Sequence, residues 1–127
     1  MLFNATFVYS KNNNDNFHEG IEILFFKIPP GVPLAKLVKK DKEFWNQFLL
    51  NQDAFEYKYY ALSPEKPDEL ILLLKWSSFK KWKKIPPKVV KKIEDERDKS
   101  LGIKLQLIKS YSLEAMPGIK KLEKKAC

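Results

Sequence analysis

The chain has 127 residues and a mass of 15.0 kDa, room for one domain, and its 44% hydrophobic and 13% aromatic content suits a packed globule rather than a disordered chain. Net charge is +8, from 24 Lys+Arg against 16 Asp+Glu, yet Arg97 is the only arginine. Bidentate recognition of phosphates and bases favours arginine forks, so the lysine excess reads as a solvated face and weighs against specific nucleic-acid binding. No apolar run approaches the roughly 20 residues of a membrane span.

Residues 1–17 read as an N-terminal leader, mobile or added as an edge strand through Leu2, Phe3, Phe7, Val8 and Tyr9. Its first residues have no basic stretch and no arginine, which sets aside a secretory or mitochondrial signal. The single cysteine, Cys127, cannot form an internal disulfide. A reduced, cytoplasmic protein is the expectation.

A first core strand is predicted over 21–28, stopped by Pro29-Pro30-Gly31. A helix of about five turns follows, with Pro33 in its first turn. On a 3.6-residue wheel Leu34, Leu37, Val38, Asp41, Phe44, Trp45, Phe48, Leu49 and Gln52 share its apolar face, with Gln52 placed to cap backbone. The next strand, 55–62, carries Tyr57, Tyr59 and Tyr60. After a turn at 63–68, a strand at 70–76 returns antiparallel to it. Ser77 or Ser78 is a natural N-cap for a short helix bearing Phe79 and Trp82. Pro86-Pro87 breaks the pattern, and a second helical piece with Val89, Val90 and Ile93 ends near Gly102. A last strand, 103–112, alternates Ile103, Leu105 and Leu107 against Lys104 and Gln106. The core domain is thus 18–113, followed by a basic tail, 114–127.

The order β-α-β-β-α-β predicts an α+β, ferredoxin-like fold with a four-stranded antiparallel sheet. Strands 21–28 and 69–76 are apolar on both alternating faces, whereas a strand showing one face to water alternates. Helices in so small a protein cover one side of such a sheet. The other side needs a second copy or a ligand, so a homodimer with an apolar cavity is expected. By alternation Phe55, Tyr57, Tyr59, Leu70, Leu72, Leu74, Trp76, Ile103, Leu105 and Leu107 face the helices. Glu56, Lys58, Tyr60, Ile71, Leu73 and Lys75 form the candidate dimer face, where Glu56 could pair with a lysine; Lys104, Gln106 and Ile108 share that side.

At this point the residues resemble the antibiotic-biosynthesis-monooxygenase-like, or dimeric α+β barrel, family. The matching features are a first strand ending in Lys27-Ile28-Pro29-Pro30-Gly31, an aromatic-rich first helix, a tyrosine-bearing second strand, and an apolar third strand closing in Trp76-Ser77-Ser78-Phe79-Lys80-Lys81-Trp82. The likeness spans about residues 19–112. It implies dimers whose sheets face each other, with a pocket between each sheet and its own helices. The family includes cofactor-independent monooxygenases, haem-degrading enzymes, isomerases and proteins with no known activity. The function it implies is binding of a small apolar or aromatic molecule, with cofactor-independent monooxygenation or isomerisation as the chemistry if turnover occurs. A non-catalytic interaction or stress-associated role fits as well. RNA-recognition modules share the strand order and give RNA binding as a further, less favoured alternative, since their third-strand signature needs a glycine and spaced aromatics that residues 69–76 lack.

Two residues are catalytic candidates. His18, the only histidine, could serve as a base near neutral pH, or simply be solvated in a loop. Asp41 falls inside the apolar stripe of the first helix, so its carboxylate must find a partner such as a lysine, reach water, or line a cavity. Trp45, Phe48, Tyr57, Tyr59, Trp76, Phe79 and Trp82 could together wall a pocket for a flat ligand, though each alone reads equally as core. There is no Cys/His cluster, no glycine-rich phosphate loop among four glycines, and no Ser/His/Asp arrangement at recognisable spacing. No metal and no cofactor are therefore expected.

Overall fold

A computed structural model describes residues 18–116; the leader 1–17 and all but the start of the basic tail lie outside the described residues. The elements are β1 (Gly20–Lys27), α1 (Leu34–Leu50), β2 (Phe55–Ser63), β3 (Lys66–Trp76), α2 (Phe79–Trp82), α3 (Pro87–Leu101) and β4 (Leu107–Glu114). The four strands form one sheet in the order β2-β3-β1-β4, every neighbour antiparallel. This is the expected ferredoxin-like α+β arrangement, with the second helical segment divided at Pro86-Pro87 into α2 and α3.

Local chemistry accounts for the element ends. Pro33 stands at the N-cap of α1, just outside its first turn, with the extended backbone that proline and its neighbours favour. At the other end Gln52 Nε2 donates to the Phe48 carbonyl at 3.3 Å, as expected of a capping amide. Ser78 caps α2, its Oγ accepting from the Lys81 N–H at 3.1 Å. α3 ends at Gly102, whose φ of 82° is the left-handed conformation glycine adopts without steric cost. β3 supplies the centre of the core: Leu70, Leu72, Leu74 and Trp76 are all buried against the helices. From α1, Leu37 and Leu49 are buried, and Val38, Trp45 and Phe48 pack against them.

Two strands differ from the sequence expectation. β2 meets β3 with a register shift between Phe55 and Tyr57: Phe55 pairs with Trp76, but Tyr57 pairs with Lys75. The extra residue, Glu56, inverts the alternation of everything after it. Lys58 and Tyr60 therefore face the helices, and Tyr57 and Tyr59 face the other way, the reverse of their expected positions. β4 begins at Leu107 rather than Ile103. Residues 103–106 approach the sheet as an extended link that buries Leu105 and gives the Gln106 carbonyl to the Lys27 N–H at 3.0 Å. A second register shift, opposite Phe25 and Phe26, sets Tyr111 and Leu113 on the face away from the helices.

Candidate functional site

Glu22, Leu24 and Phe26 of β1 alternate toward the helices, in register with Leu74, Leu72 and Leu70 of β3. Between this face and the helices lies a cavity of about 980 Å³. Its inner wall is apolar: Leu24, Phe26, Leu72, Leu74 and Trp76 from the sheet, Trp45 and Phe48 from α1, Trp82 from α2, and Ile85 and Val90 beyond it. Of the seven aromatics proposed as a pocket wall, Trp45, Phe48, Trp76 and Trp82 line the cavity. Phe79 instead stands edge-on behind Trp82 at 5.4 Å. Tyr57 and Tyr59 are on the outer sheet face, their rings 5.0 Å apart and exposed.

Trp76 and Trp82 stack with ring centroids 5.8 Å apart and planes 1° from parallel. Trp82 can sit there because residue 20 is glycine: a Cβ at Gly20 would stand 2.8 Å from the Trp82 ring. The hinge after β3 thus seats its second tryptophan flat on the start of β1.

The most consequential polar group in the cavity, Glu22, is not among the residues expected from the sequence. Glu22 sits mid-strand on the helix-facing side and accepts from the Trp76 indole N–H at 3.3 Å. Burial pushes its carboxyl above the ordinary carboxylate range. The Trp76 N–H and the Lys83 ammonium pull the other way, and the Glu94 carboxylate adds to the rise. Glu94, on α3, faces the same cavity and is likewise raised, first by burial. Two carboxyls on opposite walls of one cavity, both raised by burial, form a pattern that acid–base sites share. The sequence did carry a signal for Glu22: a lone carboxylate inside Ile21-Glu22-Ile23-Leu24-Phe25-Phe26, on the face that Leu24 and Phe26 share. Arg97 also lines the cavity, buried with its guanidinium 5.5 Å above the Phe26 ring and held by the Asp98 carboxylate at 3.0 Å.

The two catalytic candidates have different placements. Asp41 is buried at the cavity edge and fully engaged: its Oδ2 accepts from the Lys58 ammonium at 2.6 Å and from the Tyr60 hydroxyl. Lys58 also donates to Asn46 Oδ1 at 2.8 Å. The cluster exists because the shift at Glu56 turned Lys58 and Tyr60 inward. Burial, then the Asp41 carboxylate, holds the Tyr60 phenol far above its ordinary range. The arrangement clamps α1 to β2. His18 precedes β1 at the sheet end, its Nδ1 against the Glu114 carboxylate, and is not among the residues lining the cavity. Among the described residues no group of His, Cys, Asp and Glu is arranged to hold a metal ion.

On the outer face, Ile71 and Leu73 of β3 lie between Ile21, Ile23 and Phe25 of β1 and Tyr57 and Tyr59 of β2. Tyr111 of β4 packs edge-on against Phe25 at 6.0 Å. Lys75 is buried on this face between Glu56 at 2.9 Å and Glu19 at 3.1 Å. Of the expected dimer-face residues, Glu56, Ile71, Leu73 and Lys75 are on this side, while Lys58 and Tyr60 are not. No described helix covers it, and none is long and apolar enough to cross a membrane.

No protein-family model and no curated protein matches the sequence. Solved structures do resemble the fold. SnoaB, a cofactor-independent oxygenase from Streptomyces nogalater, aligns at a TM-score of 0.57 and 13% identity, over 78% of this chain and 94% of that one. A protein assigned as an antibiotic biosynthesis monooxygenase from Chloroflexus aurantiacus J-10-fl aligns at 0.53 and 15% identity, over 80% and 97%. A dimeric ferredoxin-like protein from an uncultured marine organism aligns at 0.51 and 12% identity, over 92% and 100%. The chain therefore shares the fold of the antibiotic-biosynthesis-monooxygenase-like proteins, at identities that speak to architecture alone.

Proposed function

We propose that this protein binds a small apolar or aromatic molecule in the cavity between sheet and helices and removes a proton from it, with Glu22 as the base and no bound cofactor. The observation that carries the reading is the position of Glu22, whose carboxylate accepts from the Trp76 indole at 3.3 Å on the wall of an apolar, aromatic-lined cavity of about 980 Å³, where burial raises it. A carboxylate desolvated in this way is a stronger base than one in water. The carbanion or enolate left on the ligand can regain a proton elsewhere, which is isomerisation, or react with dioxygen, which is oxygenation. In the first case Glu94, on the α3 wall of the same cavity, returns the proton in this reading. The likeness to SnoaB supports the second.

The working form in this reading is a cytoplasmic homodimer joined through the outer sheet faces. Support comes from the apolar face that Ile23, Phe25, Ile71 and Leu73 make and from the likeness to a dimeric ferredoxin-like protein.

The test uses a hydroxyanthrone, whose ring methylene is acidic. In heavy water the wild-type protein is expected to accelerate exchange of those methylene protons, followed by NMR, and oxygen uptake reports any oxygenation. Glu22→Gln should slow exchange by about 100-fold or more while leaving binding in place. Unchanged exchange in Glu22→Gln would remove Glu22 as the base, and absence of binding by this and other planar aromatics would remove the reading.

A further inference from the structure

We propose that the ligand of this cavity is elongated and carries a neutral acceptor oxygen, a ketone or quinone carbonyl, which the Arg97 guanidinium holds at the end away from Glu22. The proposal rests on the reading of the cavity as a ligand site and adds the class of ligand.

Glu22 and Arg97 mark opposite ends of the cavity. Glu22 bonds to Trp76 and pairs with Ser112 of β4. Phe26 lies four residues further along the same face of β1, roughly 13 Å away at the rise of a strand. The Arg97 guanidinium sits 5.5 Å over the Phe26 ring. A ligand that presents an acidic carbon to Glu22 and reaches Arg97 therefore lies along β1, across Leu24.

Arg97 is the one arginine of the chain, and a guanidinium is all donor and no acceptor. Its side chain is 4% exposed, and it lines the cavity. Among the described residues Asp98 is its only hydrogen-bond or ion-pair partner. Nε donates to Asp98 Oδ1 at 3.0 Å, and Nη2 stands 3.0 Å from the same oxygen. That oxygen occupies one edge of the fork and leaves the Nη1 donors bonded to no described residue. Donors buried without an acceptor are costly, and the Phe26 and Leu24 side chains beside them offer none. An oxygen on the ligand supplies it.

Charge decides between a carbonyl and a carboxylate. Asp98 already compensates the guanidinium, and Glu94 stands one turn before it on α3, facing the same cavity. A further anion would meet both. Lys104, the other cation lining this end, is exposed, where an ion pair adds little. A carbonyl takes the remaining N–H groups without adding charge.

The experiment compares 2-acetylnaphthalene with its hydrocarbon isostere 2-isopropenylnaphthalene on the full chain. Binding is followed by quenching of tryptophan fluorescence. Because Arg97 is the sole arginine, its side-chain N–H signals can be read singly in nitrogen-15 NMR of the wild-type protein. The ketone is expected to shift those signals at least twofold further than the hydrocarbon does. Arg97→Met should lower the affinity for the ketone relative to the hydrocarbon by about tenfold or more. Arg97→Lys, which keeps a donor, should lose less, and Lys104→Gln should leave the ratio unchanged. Equal shifts from the two probes overturn the proposal even if Arg97→Met does not fold, and so does a ratio unchanged in a folded Arg97→Met. Tighter binding of 2-naphthoate than of the ketone also overturns it, since this end would then select charge. Binding of neither naphthalene probe removes the cavity reading and this proposal with it.

Discussion

Trp76 donates its indole N–H to the Glu22 carboxylate at 3.3 Å, across adjacent strands that place both side chains under the helices. The bond holds a carboxylate in an apolar wall, where a residue chosen for stability alone would be aliphatic. Trp76 is at once core and site: it is 2% exposed, stacked on Trp82, and hydrogen-bonded to the Glu22 carboxylate.

This placement has a pH signature. The folded-state value of Glu22 lies above its ordinary value of 4.5, so folding favours the protonated carboxyl. That contribution is fully present below the unfolded value and is lost as pH rises through the folded value. Glu22→Gln, which cannot ionise, is expected to melt above the wild-type protein at about pH 7 and to converge with it at about pH 4. Thermal denaturation followed by circular dichroism across that interval checks it. A Glu22→Gln protein less stable than wild type at neutrality would mean that the carboxylate is a structural acceptor.

Asp41, by contrast, is bound into a structural clamp. With both side chains below a tenth exposed, the Asp41–Lys58 pair is a buried ion pair. Removing one partner strands the other, so Asp41→Ala is expected to cost about 3–5 kcal/mol. The paired replacement Asp41→Leu with Lys58→Met should recover most of that loss. Tyr60 adds an alkaline limit: its phenol is raised when folded, so stability present below the unfolded value is lost as pH climbs past about 10. Denaturant titrations of the two variants, with wild type also measured in alkali, test the clamp. Equal losses in the single and double variants would deny the coupling.

Gly20 offers a purely steric test. A methyl group there would overlap the Trp82 ring at 2.8 Å and stand 3.3 Å from Phe79 Cα. Gly20→Ala is expected to cost about 1–3 kcal/mol through overpacking. Trp82→Leu in the same chain should relieve part of that cost, and urea unfolding of the two single variants and the double variant reads the coupling. Additive losses would place the strain elsewhere.

Element order and the helix-facing side of β3 were legible from the sequence because hydrophobic periodicity and breakers carry them. Leu70, Leu72, Leu74 and Trp76 keep strict alternation, and Pro29-Pro30, Ser78 and Gly102 mark ends by local chemistry. The faces of β2 were not legible. Its tyrosines suit either side of a sheet, and a single extra residue at Glu56 leaves no mark in the pattern while reversing Tyr57 through Leu62. The same shift explains why the particular partners of Asp41 are not legible: strict alternation puts Lys58 and Tyr60 on the opposite side. Glu22 is not legible as a site because β1 reads as apolar on both faces, and a single charge does not break that pattern.

The outer face yields the last expectation. Ile71 and Leu73 lie at its centre, flanked by Ile21, Ile23 and Phe25 on β1 and by Tyr57 and Tyr59 on β2. Lys75, buried there, is matched by Glu19 and Glu56; burial alone would lower its pKa, but the two carboxylates hold it above its usual value. Its charge is thus already compensated and does not oppose covering the face. A stable sheet-to-sheet dimer needs about 800 Å² from each partner. Ile71→Lys with Leu73→Lys would set four cations at the centre of a two-fold interface, two from each copy, without touching the helix-facing core. The wild-type chain is expected to elute as a dimer in size-exclusion chromatography with light scattering at micromolar concentration, and the variant as a folded monomer. A wild-type monomer under those conditions would show that this face serves something other than a second copy.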